Sequence, residues 1–120
     1  MENILVIDDD RFICDLISKT LTLLGHDVKV AYDGEEAIDL LNKHRFFSIV
    51  ITDINMPRKD GNSVAKYIRN SSKLKNTPIV AITGLINNVD KELFNIVLEK
   101  PFKMKELMNR IGFLMTRTEL

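Results

Sequence analysis

IVITDINMPRKDG, residues 49–61, is the stretch on which the reading of the chain turns. A run of apolar and β-branched residues stops abruptly at Asp53, and Asn55, Pro57, Asp60 and Gly61 crowd the positions after it. The run reads as a buried strand, and the polar cluster reads as the loop that ends it. A carboxylate inside a buried strand is costly unless something pairs with it. Asp53 therefore belongs at the strand's end, where a cation can reach it.

Working outward, the same kind of element recurs. NILVI (residues 3–7), DVKVA (27–31), FSIVIT (47–52), TPIVAIT (77–83) and FNIVLE (94–99) read as strands. Between them lie helical patterns. Ile13, Leu16, Ile17, Leu21 and Leu24 share a face in residues 11–25, closed by Gly25. Asp33 and Glu36 open a helix to about Lys43 as an Asp variant of the capping box. Residues 62–71 place Val64, Tyr67 and Ile68 on one side, and a closing helix over 103–116 aligns Leu107, Ile111 and Leu114. Met104, Met108 and Met115 read as packing residues of that helix. The order is βα repeated five times, so the strands form a parallel sheet covered on both faces, an α/β doubly wound fold. Ligands of such sheets bind at the carboxyl ends of the strands. Residues 116–120 read as a frayed end or the stub of a linker.

Composition narrows the function. The 120 residues are 45% hydrophobic and carry no net charge, which suits one compact domain and argues against direct nucleic-acid binding. The charge is uneven: residues 1–60 hold 7 Lys/Arg against 12 Asp/Glu, and residues 61–120 hold 10 against 5. Apolar runs such as residues 49–51 are far too short to span a membrane. The start of the chain leads directly into a strand without a basic leader, so a cytoplasmic location is expected. Cys14 stands alone and reads as a core residue; His26 and His44 are too far apart in the pattern to suggest a metal pair.

The strand ends carry the chemistry. The first strand ends in Asp8-Asp9-Asp10, the third in Asp53, the fourth in Thr83 and the fifth in Lys100. In a parallel sheet these converge on one rim. Several carboxylates that close repel one another unless a cation intervenes, and hard oxygen ligands with open positions favour Mg²⁺. A lysine and a threonine facing the cation suit the oxygens of a phosphoryl group. The chain has no Gly-rich nucleotide loop, and a carboxylate can itself be the nucleophile that forms an aspartyl phosphate. Asp53 is the best placed. Asp10 reads instead as a helix N-cap.

ILVIDDD, VITDINMPRKDG, VAIT and LEKPF, in that order, resemble a response-regulator receiver domain of the chemotaxis-regulator type, over nearly the whole chain. The resemblance implies one receiver domain over residues 1–120 with the flavodoxin-like strand order 2-1-3-4-5. It also implies Asp53 as phosphoacceptor from the phosphohistidine of a sensor histidine kinase or histidine phosphotransfer protein, or from a small acyl phosphate. Asp9 and Asp53 would ligate Mg²⁺ by their side chains, Asn55 by its carbonyl, and Asp8 mainly through water. Lys100 would pair with Asp53 and then with the phosphate, and Thr83 would turn its hydroxyl to a phosphate oxygen. The Lys100–Pro101 bond would be cis. Such a domain catalyses only its own phosphorylation and dephosphorylation and is not a turnover enzyme. Its signal goes to a downstream output protein or domain, or into a phosphorylation-dependent homodimer, through the face of fourth helix, fifth strand and fifth helix.

Two departures from that pattern fall on this output face. GLINNVDKELFNIVLE (residues 84–99) is several residues short, so the fourth helix should be about two turns, near 12 Å, stunted or irregular. Val97 stands where the family often has an aromatic residue, with Phe94 a candidate replacement. These features leave open a degenerate receiver that acts as a phosphorylation-independent interaction module. A haloacid-dehalogenase-type phosphatase would need an acid where Asn55 stands, and a flavodoxin-like FMN carrier is disfavoured by the acidic first loop.

Overall fold

The computed structural model describes residues 2–44 and 46–118. Five parallel strands, β1 (Asn3–Ile7), β2 (Asp27–Ala31), β3 (Ile49–Asp53), β4 (Ile79–Thr83) and β5 (Ile96–Glu99), lie in the order β2-β1-β3-β4-β5. Among the described residues, four α-helices connect or close them: α1 (Arg11–Leu23), α2 (Gly34–Lys43), α3 (Gly61–Arg69) and α4 (Met104–Thr118). Among the described residues, no helix is long and apolar enough to cross a membrane.

The buried strands explain themselves by alternation between two cores. Ile4 and Val6 join Ile51, Ile82 and Leu98 under Ile17 and Leu21 of α1 and Leu107, Ile111 and Leu114 of α4. Leu5 and Ile7 join Val50 and Ile79 under Ala37 and Leu41 of α2 and Val64 and Ile68 of α3. Each apolar side chain buried here contributes about 1.5–3 kcal/mol, so a strand slip that exchanged the two faces would disrupt both cores at once. Cys14 is fully buried in the first core, and burial pushes its thiol up to about 12, which leaves it a packing residue.

Helix starts follow their caps. Asp10 accepts from the N–H groups of Phe12 and Ile13, and Asp33 accepts from Glu36 N. Gly25, at φ +95, takes the left-handed turn after α1. Two expected core positions of that helix point outward: Leu16 is 47% exposed and Leu24 61% exposed. The buried face is the narrower line Cys14, Ile17 and Leu21, because only the sheet side of α1 is covered.

The stunted fourth helix is not an α-helix at all. Between β4 and β5 the chain makes two separate 3₁₀ turns, Ile86–Asn88 and Lys91–Leu93. Val89 is the one buried side chain of residues 84–95, too little apolar surface to hold a longer helix against the sheet. β5 starts two residues later than its apolar run; just before it, Asn95 N donates to Ile79 O at 2.9 Å while the Asn95 side-chain oxygen accepts from Ile79 N at 2.8 Å. At the other end of the chain, α4 carries helical backbone to Thr118, into the stretch read as frayed. Glu119 and Leu120 lie outside the described residues.

Candidate functional site

Register brings the strand ends level. Ile7 pairs with Ala31 and Thr52, Asp53 with Ile82, and Thr83 with Glu99, so Asp8, Asp53, Thr83 and Lys100 all reach the same rim. The rim spans β1 and β3, where the strand order reverses. Asp8 and Asp53 are buried and Asp9 is exposed, and one carboxylate oxygen of each lies within 4.8 Å of the others. Lys100 Nζ stands between the two buried acids, 3.1 Å from Asp8 Oδ2 and 3.6 Å from Asp53 Oδ2. The lysine is thus bonded first to Asp8, where the resemblance led to Asp53. The Lys100–Pro101 bond is cis.

The remaining oxygens are held by backbone. Asp8 Oδ1 accepts from Asp10 N at 2.9 Å, and Asp53 Oδ1 accepts from Ile54 N at 2.8 Å. Burial dominates the electrostatics. It pushes Asp53 up to about 6, helped by the charge of Asp8 and opposed by Lys100 and Ile54 N–H. Burial also raises Asp8, against the pull of Asp10 N–H and Lys100. At Lys100 burial works downward, but Asp8 and Asp53 outweigh it and hold the ammonium above its usual value. A pocket of buried oxygens with one lysine for two carboxylates is short of positive charge. Three hard oxygen donors at this spacing can hold a divalent cation.

Thr83 is fully buried; its hydroxyl oxygen accepts from Leu85 N at 3.0 Å, and its carbonyl accepts from Lys100 N at 2.8 Å. Asn55 is exposed in the β3–α3 loop, and its side chain accepts from Asn88 Nδ2. Val97 and Phe94 are half-buried and pack with Ile54, Ala81 and Val89.

A brace on this loop went unread in the sequence. Asp33 Oδ2 accepts from Arg58 Nη2 at 2.7 Å and Nε at 3.1 Å while its other oxygen caps α2. Arg58 O accepts from Glu35 N, which draws the loop onto the start of α2. Arg58 and Lys59 have φ values of +48 and +78, a conformation that costs non-glycine residues energy and is held here by its surroundings. The approach is so close that a Cβ on Gly34 would lie 2.1 Å from Lys59 O. In the sequence, Asp33 with Glu36 reads only as the capping box of α2, and nothing there ties it to Arg58.

The sequence pattern of the family described as response regulator receiver domain matches residues 4–112. The chain is 33% identical over 123 residues to the transcriptional regulatory protein CpxR of Escherichia coli strain K12, covering 98% of this chain and 51% of CpxR. It thus spans about half the length of the curated relatives it matches. Among solved structures, the chemotaxis response regulator CheY4 of Vibrio cholerae is similar at TM-score 0.87 and 32% identity, covering 95% of this chain and 98% of that one. The response regulator TrrA of Thermotoga maritima, solved in complex with Mg²⁺-BeF, is similar at TM-score 0.85 and 29% identity, covering 95% and 99%.

Proposed function

Because the chain belongs to the response regulator receiver domain family of two-component signalling, we propose that residues 1–120 act as a phosphoaccepting receiver with Asp53 as the acceptor. An Asp53 oxygen attacks the phosphorus of a phosphohistidine or a small acyl phosphate. The bond from phosphorus to the donor nitrogen or oxygen breaks, its electron pair leaves with the donor, and Asp53 becomes an acyl phosphate. The observation that carries this reading is the pairing of a buried, strand-end carboxylate with Lys100 and two further acids.

Each group has a task. Asp53 must be ionised to attack, and a value near 6 leaves it so at neutral pH. Lys100, held charged between Asp8 and Asp53, moves from carboxylate to phosphoryl oxygen without leaving the pocket. Thr83 offers a hydroxyl at the end of the neighbouring strand. Asp8, Asp9, Asp53 and the Asn55 carbonyl are the groups that would hold Mg²⁺. When bound it would lower the acceptor's pKa and neutralise phosphoryl charge.

The donor is a sensor histidine kinase or histidine phosphotransfer protein. Ile13, Leu16, Pro101, Phe102 and Met104 form an apolar groove beside Lys100, a surface from which a docked donor would reach Asp53. Output passes through the segment after β4, β5 and α4 to a downstream protein, a linked domain or a second copy. The test is intact-protein mass after incubation with acetyl phosphate, with Mg²⁺ or with EDTA. A Mg²⁺-dependent phosphoryl adduct is expected. A folded chain that takes none would point instead to a phosphorylation-independent interaction module, the reading favoured by the irregular 84–95 segment.

A further inference from the structure

The segment between β4 and β5 has little of its own to keep it in place. Its two turns are closed by the N–H groups of Asn88, Val89, Leu93 and Phe94, two of these bonds stretched to 3.3 Å, and neither turn has a side-chain cap. Short 3₁₀ pieces of this kind lie at the low end of local stability. Side chains from elsewhere make up the difference. At the far end Arg69 of α3 donates to the carbonyls of Leu93, Lys75 and Thr77 and to Asn95 Oδ1.

At the near end the fasteners are asparagines. Asn88 Nδ2 donates to Asn55 Oδ1 at 3.0 Å. Asn62 of α3 donates to Asn88 O at 2.7 Å and accepts from Asp90 N at 2.9 Å. Leu85 N adds its bond to Thr83 Oγ1. Two of these ties, to Thr83 and Asn55, end on groups at the rim of the acidic pocket. A phosphoryl group there adds roughly −1.5 to −2 charge and three strong acceptors; the Thr83 O–H donates to one of them, which turns the oxygen that Leu85 N now meets, and the added bulk and charge press on the loop that carries Asn55.

We propose that the Asn55–Asn88 hydrogen bond is a latch, closed while Asp53 is free and released when Asp53 is phosphorylated. Its release frees residues 85–90 to move away from the pocket rim. The inference rests on Asp53 being the acceptor. It supplies a relay that needs no inward-turning aromatic residue at Val97, which is already packed beneath the segment with Ile54, Ala81 and Val89.

Linkage sets the sign of the test: a latch that occupancy of the site opens must, when cut, make that occupancy easier. In Asn88→Ala, amide exchange at residues 85–90 should rise in the metal-free, unmodified chain. Beryllofluoride with Mg²⁺, titrated by NMR, should bind about 2- to 5-fold more tightly than to wild type, the size expected for one exposed hydrogen bond. In an Asn55→Ala background, Asn88→Ala should add nothing further. Loss of a merely structural bond would leave beryllofluoride affinity unchanged or weaken it, and that result overturns the latch. A wild type that forms no acyl phosphate overturns the acceptor reading and the switch with it. A wild type that forms one, while Asn88→Ala exchanges and binds as wild type does, overturns the latch alone.

Discussion

Asp53→Asn should stabilise the metal-free protein, by an amount that depends on pH in a specific way. The Asp53 carboxyl titrates near 6 in the folded chain against 3.8 for an ordinary aspartate, because it is buried and faces Asp8. At pH below both values the group is neutral folded and unfolded, and it costs the fold nothing. As pH rises from 3.8 to 6 the unfolded chain ionises first, so stability falls; above 6 the whole penalty is present. A shift of about two units at about 1.4 kcal/mol each amounts to about 3 kcal/mol. At about pH 4.5 the same linkage leaves about 1 kcal/mol. Asparagine stands for the protonated acid in shape and charge and keeps an oxygen for Ile54 N. Urea unfolding in EDTA should therefore show the variant more stable than wild type by about 3 kcal/mol near neutral pH, about 10 °C in Tm for a domain of this size. The gap should close on acidification. A variant no more stable than wild type at neutral pH, or a gap independent of pH, would refute the claim that this carboxylate is held against its own electrostatics.

Lys100→Met leaves Asp8 and Asp53 without their lysine and should cost about 1–3 kcal/mol near neutral pH in EDTA. The loss should shrink in acid as the carboxylates take up protons, which paired urea titrations would reveal. Gly34→Ala drives a Cβ into Lys59 O and should lower stability by about 2–3 kcal/mol; a wild-type urea midpoint would contradict the close approach. Asp33→Ala removes a cap and the Arg58 pairing together and should cost about 1–2 kcal/mol at neutral pH. Glu36 N–H, then Arg58, holds Asp33 below its ordinary value. The stability it lends is present above pH 3.8 and fades as pH falls through that lowered value, so the variant and wild type should converge in strong acid.

The fold was legible because its signals are local and repeated. Unbroken β-branched runs, a glycine after α1 and aspartates before α1 and α2 each mark an element boundary by a mechanism that needs no partner. The acidic pocket was legible for a related reason: a parallel sheet puts every strand's carboxyl end on one rim, so Asp8, Asp9, Asp53 and Lys100 converge once the strands are assigned. What was hidden depends on long-range partners. Leu16 and Leu24 fit the helical period, but only the tertiary packing decides which edge of an apolar face stays uncovered. Arg58 reaches Asp33 across 25 positions, and Asn88 reaches Asn55 across 33. No spacing rule links such residues. That Lys100 bonds Asp8 more closely than Asp53 is likewise a matter of side-chain geometry at the rim, which strand assignment does not fix.

The most direct test of the central claim is to locate the phosphoryl group itself. The chain would be treated with acetyl phosphate and Mg²⁺, reduced with borohydride to convert any aspartyl phosphate to homoserine, digested and mapped by mass spectrometry. The account expects homoserine at position 53 alone, absent when EDTA replaces Mg²⁺. Conversion at Asp8 or Asp9, or a stable adduct on a serine or threonine with Asp53 unchanged, would contradict it.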